Sequence, residues 1–144
     1  MGLKDLDPLL QKLVFLTRLQ RHFAHDLEFL ARELCDAVEA LLRRHPESRA
    51  VRLAYAGVLG ERATAEAGRR AQDVLRPLLP TAGDDPLFQR NFARASELAG
   101  DLVRAGEAHA ETAYLNGRAV DALNQLDRLL KREDLDYYQR ARIE

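Results

Sequence analysis

Few residues in this 144-residue chain have types and spacings that suggest chemistry. His22 and His25 stand three apart, so on a helix they share a face, as two ligands of one metal ion must. A stable site needs three or four ligands, and no further ligand has a defined spacing to this pair; the adjacent Asp26 reads as a helix cap. The sequence therefore predicts no metal and no cofactor. His45 precedes a proline at a helix end, and His109 falls in a slot that packs between helices, so both read as structural. No serine has the His and Asp arrangement that would make it a nucleophile. Gly57-x-x-Gly60 follows no strand and reads as a close-packing or helix-end signal, not a phosphate loop. The single Cys35 cannot form an internal disulfide; beside Leu34 and Val38 it reads as a small core or boundary residue. Tyr137-Tyr138 reads as one buried and one exposed ring. Arg90 and Arg94, four apart on one helix, can clamp a carboxylate or pair with Glu107 and Glu111 on the next helix. Nothing here assembles an active site, and the chain reads as a non-enzyme.

The elements that position these residues are helical. Hydrophobic residues make up 47% of the chain, and the apolar runs have a helical period. Lys and Arg total 22 against 23 Asp and Glu, a net charge of −1. That balance argues against nucleic acid, which needs a basic face. No uncharged run approaches the roughly 18 residues of a membrane span. The start has no signal-peptide apolar region and fails as a myristoylation site, because position 6 is Leu. This leaves a cytoplasmic protein or a fragment of a longer precursor.

Taken in order, Asp7-Pro8 opens the first helix as N-cap and N1. No Gly or Pro occurs from Leu9 to His45, and a break near His25-Asp26 is expected, with Asp26 capping a second helix that ends at Arg44. Ser48 caps a third helix, Arg49 to Leu59, and Gly60-Glu61-Arg62-Ala63 is its turn. Thr64 caps a fourth, which Pro77 kinks or ends early. Asp85-Pro86 starts a fifth that runs to about Ala99, followed by helices from Leu102 to Leu115 and from Arg118 to Arg132. Asp136 caps a last helix, which stops in mid-pattern as though the chain were cut.

Two stops share one design: Ala-Gly-Asp-Leu at Ala99–Leu102 and Asn-Gly-Arg-Ala at Asn116–Ala119. Gly100 and Gly117 lie 17 residues apart, and Ala105 and Ala122 each follow their glycine by five. Both glycines are expected at positive φ just past a helix end. The spacing is half of a period of about 34 residues and resembles the tetratricopeptide repeat (TPR). The helix between the glycines serves two neighbours, Ala105, His109 and Thr112 facing backwards and Ala110, Ala113 and Tyr114 forwards. The run Glu107-Ala108-His109-Ala110-Glu111-Thr112-Ala113-Tyr114-Leu115-Asn116-Gly117-Arg118, then Asp121-Ala122-Leu123, then Tyr138-Gln139-Arg140-Ala141-Arg142-Ile143-Glu144, is similar to the C-terminal TPR region of BepA-like (YfgC-like) zinc metallopeptidases of Gram-negative bacteria. The similarity covers roughly residues 37–144 and is strongest after Pro86. The His-Glu-x-x-His of their peptidase domain is absent from this sequence.

That resemblance implies an all-α, right-handed superhelix of antiparallel helix pairs with seven or eight helices; a compact helical bundle is the alternative. Residues 1–144 form one domain: a divergent helix pair at 1–46, repeats at 47–83 and 84–117, and final helices at 118–144. It also implies a concave face lined by Arg52, Leu53, Arg90, Arg94, Glu97, Glu107, Glu111 and Tyr114, taking a protein or peptide segment with Tyr114 as aromatic anchor. The function implied is a non-catalytic interaction module recruiting substrates or outer-membrane assembly partners, in the periplasm. The other reading is a free-standing cytoplasmic TPR adaptor. No nucleic acid and no membrane insertion are expected, and the sequence sets no oligomeric state.

Overall fold

The computed structural model describes the backbone of residues 8–144 and the side chains of residues 24–144. Seven α-helices run through the described residues: α1 (Pro8–Arg44), α2 (Arg49–Glu61), α3 (Ala65–Leu75), α4 (Pro86–Ala99), α5 (Leu102–Leu115), α6 (Ala119–Leu130) and α7 (Tyr137–Ile143). A 3-10 turn, Arg76–Leu78, extends α3. No strand occurs among the described residues, so the chain is all-α there. Each helix packs on the next, and α2 also packs on α4. The short turns within α2–α3 and α4–α5 require antiparallel neighbours.

Local sequence sets the helix ends. The Ser48 hydroxyl accepts the Val51 N–H at 3.4 Å, and Thr64 accepts from Ala67 at 3.2 Å. Asp85, with Pro86 following at the first helical position, accepts from Leu87 at 2.9 Å. Asp136 and Gln139 form a reciprocal capping box. Gly100 and Gly117 take φ of 81° and 77°, as their spacing predicted. At each, the glycine N–H returns to a carbonyl three residues back, Glu97 or Tyr114. The following N–H returns five back, Asp101 to Ser96 and Arg118 to Ala113. Both stops therefore close by one hydrogen-bond scheme, which a left-handed glycine permits.

The main core lies among α2, α3 and α4. Tyr55, Leu59, Leu75 and Phe88 are almost fully buried there, each worth about 1.5–3 kcal/mol of transfer free energy for an aliphatic or Phe side chain. Phe88 and Phe92 stack at 5.5 Å, one turn apart on α4. Helix α5 serves two sides: Ala108 joins this core, while Ala110 and Ala113 pack with Ala122 of α6. Val103, Leu129 and Ile143 make a separate small cluster beneath α7.

Several expectations are corrected. No break occurs at His25-Asp26; α1 is one helix of 37 residues, about 55 Å long. With no Gly or Pro inside it, nothing competes with the helix, and Asp26 is an interior residue, not a cap. The N-terminal pair is thus a single helix. Helix α2 continues through Gly60 to Glu61, and Ala63, at φ 52°, makes the turn instead. Helix α6 is shorter than expected at both ends. Tyr137 and Tyr138 are both exposed, edge-to-face at 5.6 Å, because α7 buries Ile143 and leaves its first turn in solvent. The proposed Asp7 cap lies outside the described residues, as does the side chain of His22. His25 is exposed.

Candidate protein-binding grooves

Two grooves gather most of the residues singled out in the sequence. The first lies among α5, α6 and α7 and encloses about 440 Å³. Its floor is apolar: Ala110 from α5, Ala122 and Leu126 from α6, and Ile143 from α7. Small residues at Ala110 and Ala122 let α5 and α6 pack closely. Tyr114 and Leu123 stand at the lip, 61% and 62% exposed. The rim is charged. Arg142 of α7 grips Glu107 of α5 with Nη2 at 2.7 Å and Nε at 3.1 and 3.2 Å, a forked charge-assisted pair. Arg104 adds a third donor group to Glu107 at 3.2 Å. Glu111, one turn further along the same rim, has no hydrogen bond or ion pair with the described residues. The groove thus offers an apolar bed, an aromatic lip and an unpaired carboxylate.

The second groove, about 430 Å³, lies between α2 and α4. Ala56, Gly57 and Gly60 of α2 leave room along one wall; a Cβ on Gly57 would meet nothing within 4 Å. Arg90, Arg94 and Glu97 of α4 and His109 of α5 form the other side. His109 Nε2 and Glu97 are 2.7 Å apart, and Arg94 reaches Glu97 only at 3.9 Å. Arg90 is exposed and has no partner among the described residues. Neither arginine pairs with Glu107 or Glu111, and Glu107 is held instead by Arg104 and Arg142.

The eight predicted contact residues therefore do not line one groove. Arg90, Arg94 and Glu97 line the α2–α4 groove, and Glu107, Glu111 and Tyr114 line the α5–α6–α7 groove. Leu53 is buried in the main core, and the half-buried Arg52 donates to the Val74 carbonyl at 3.0 Å. Both are spent on holding α2 to its neighbours. Sequence reading missed Arg142, Leu123 and Leu126. The signal for Leu123 and Leu126 was the apolar spacing Ala119, Ala122, Leu123, Leu126, which marks one face of α6; Arg142 of α7 left no such signal.

A third cluster ties three helices together. The Tyr55 hydroxyl of α2 donates to Glu39 of α1 at 3.2 Å, Arg70 of α3 pairs with the same carboxylate at 2.6 Å, and the Arg70 guanidinium lies 5.7 Å from the centroid of the Tyr55 ring. Burial pushes the Tyr55 phenol up to about 12, against the opposing pull of Arg70. At the start of α4, the hydrogen bond from Arg49 holds the Asp85 carboxyl below its usual range. Among the described residues no group of His, Cys, Asp and Glu side chains has the arrangement of a metal site, and no helix is long and apolar enough to cross a membrane. The chain matches no protein-family model, no curated protein and no solved structure.

Proposed function

We propose that this chain is a non-catalytic protein-interaction module of the TPR kind, taking a peptide or helical segment of a partner into the α5–α6–α7 groove. The observation that carries this reading is the open apolar bed of Ala110, Ala122, Leu126 and Ile143, flanked by the exposed Tyr114 and Leu123 and rimmed by Glu107, Glu111 and Arg142. Such a bed accepts an apolar stripe, while the unpaired Glu111 selects a basic group beside it. The α2–α4 groove, with the unpaired Arg90, suits an acidic portion of the same or another segment. Support for the repeat reading comes from the two matching glycine stops, from α5 serving both neighbours and from the contact of α2 with α4. The resemblance to BepA-like metallopeptidases extends the proposal: the chain is the recruiting region of such an enzyme, holding its substrates or outer-membrane assembly partners in the periplasm. An upstream His-Glu-x-x-His in the parent reading frame tests that extension directly.

The groove itself is tested with displayed peptide libraries selected on the purified chain, followed by NMR mapping of the selected peptides. Shifts should concentrate on Tyr114, Leu123, Leu126 and Ile143. Tyr114→Ala combined with Leu123→Asp should weaken binding by at least about 10-fold, the cost of losing an anchor. The melting temperature should barely move, since both side chains are exposed. Selected peptides that map elsewhere, or that bind the double variant equally well, would refute the assignment.

A further inference from the structure

Helix α1 carries a second surface that neither groove uses. Its C-terminal part docks on the body through Cys35, Val38, Glu39 and Leu42. A different stripe of the same helix faces water: Leu27, Leu30, Leu34 and Leu41 are 64%, 61%, 53% and 46% exposed. With the exposed Ala37, these residues are spaced three, four, three and four apart. The same alternation continues upstream in the sequence through Phe23, Gln20, Leu16, Leu13 and Leu9. Steps that alternate between three and four residues over more than four heptads are the spacing of a coiled-coil seam.

We infer that α1 pairs through this seam with α1 of a second copy of the chain, forming a parallel two-stranded coiled coil. Three observations choose this occupant. The period calls for another helix with the same repeat, and the chain itself supplies one. The positions flanking the seam suit an identical strand: Asp26 comes opposite Ala31 of a parallel copy, so no two acids meet there. The size also fits. The four leucines leave on the order of 400 Å² of apolar surface in water per chain, the extent that marks interaction sites on monomers. Doubled by two-fold symmetry it gives roughly 800 Å², the size of a small, reversible interface. Helix α1 is about 55 Å long, and a helix with such a stripe gains its stability from packing it.

The test is the mass of the full chain in solution, by light scattering or sedimentation across about 1–100 µM. The expected result is twice the 16.3 kDa of one chain. Leu30→Glu combined with Leu34→Glu should return a monomer whose α2–α7 body melts as before, and His25→Glu, outside the seam, should leave the dimer intact. Leu27→Cys in a Cys35→Ser background should cross-link under mild oxidation, because a parallel pair brings the two copies of position 27 together. A monomer throughout that range overturns the inference, as does a dimer that survives the double Glu substitution or fails to cross-link. A monomer that instead co-sediments with phosphatidylserine-containing vesicles assigns the stripe to a lipid surface and overturns it equally.

Discussion

At the scale of single residues, two glycines of the same sequence type have opposite roles. Gly68 lies inside α3 where α4 ends: a Cβ there would sit 2.5 Å from the Ala99 backbone nitrogen and 2.7 Å from the Leu98 carbonyl carbon. Those are main-chain atoms, so relief requires the two helices to separate. Gly57 lies inside α2, where an added methyl would touch nothing within 4 Å. Gly68→Ala should therefore destabilise the fold by about 1–3 kcal/mol despite the better helix propensity of alanine. Gly57→Ala should stabilise it by about 0.5–1 kcal/mol through that same propensity. Urea denaturation of both variants measures the two signs, and a stabilised Gly68→Ala chain would contradict the close contact. Sequence alone shows that both glycines interrupt helical runs. The difference between them depends on which turn of which neighbour passes by, and that is a property of the packed pair.

At the scale of elements, helix ends were legible and the relation of one helix to another was not. Ser48, Thr64, Asp85 and Asp136 cap because a short polar side chain beside a free N–H works through bonds a few residues long. Gly100 and Gly117 stop helices for an equally local reason. The break expected at His25-Asp26 failed because helix length is not local: without a breaker, a helix persists until a stop signal, here His45-Pro46. Which groove each polar residue lines was hidden as well. Arg90 and Glu107 stand on adjacent helices, yet line different grooves. The link among α1, α2 and α3 through Glu39, Tyr55 and Arg70 was equally hidden, since its members lie 16 and 31 residues from Glu39. It carries a pH signature. The folded chain raises the Tyr55 phenol from 10.0 to about 12, so folding favours the protonated ring. That contribution is complete below pH 10 and is lost as pH rises through 12. Tyr55→Phe should lose about 1 kcal/mol at neutral pH with the hydrogen bond. Between pH 10 and 12 its stability should then fall less steeply than that of the parent chain, in denaturant melts followed by circular dichroism. Parallel slopes for the two chains would show that Tyr55 does not titrate with unfolding.

At the scale of the whole molecule, stability is distributed unevenly, and the proposed function draws on the weaker end. In a stacked helical array each unit contacts its neighbours, so local stability follows the size of the nearest core. The α2–α4 region buries Tyr55, Leu59, Leu75, Phe88 and Phe92 in one cluster. Around α6 and α7 the buried sets are Val103, Leu129 and Ile143, and three alanines. Leu123, Val120 and both tyrosines of α7 remain in solvent. Each large side chain buried adds about 1.5–3 kcal/mol, whereas alanines add far less, so α6–α7 should open at a free energy several kcal/mol below that of α2–α4. Native-state hydrogen exchange should accordingly show fast exchange in Ala119–Leu130 and Tyr137–Ile143 and slow exchange in Arg49–Glu61 and Pro86–Ala99. A segment seated in the α5–α6–α7 groove adds the missing apolar contacts to the less stable side. Its binding should therefore slow exchange in α6 and α7 and leave the already protected α2 and α4 nearly unchanged. Equal protection of both ends in the free chain would mean that the small clusters hold α6–α7 as firmly as the aromatic core holds α2–α4. The groove would then be a rigid feature, not one that a partner completes.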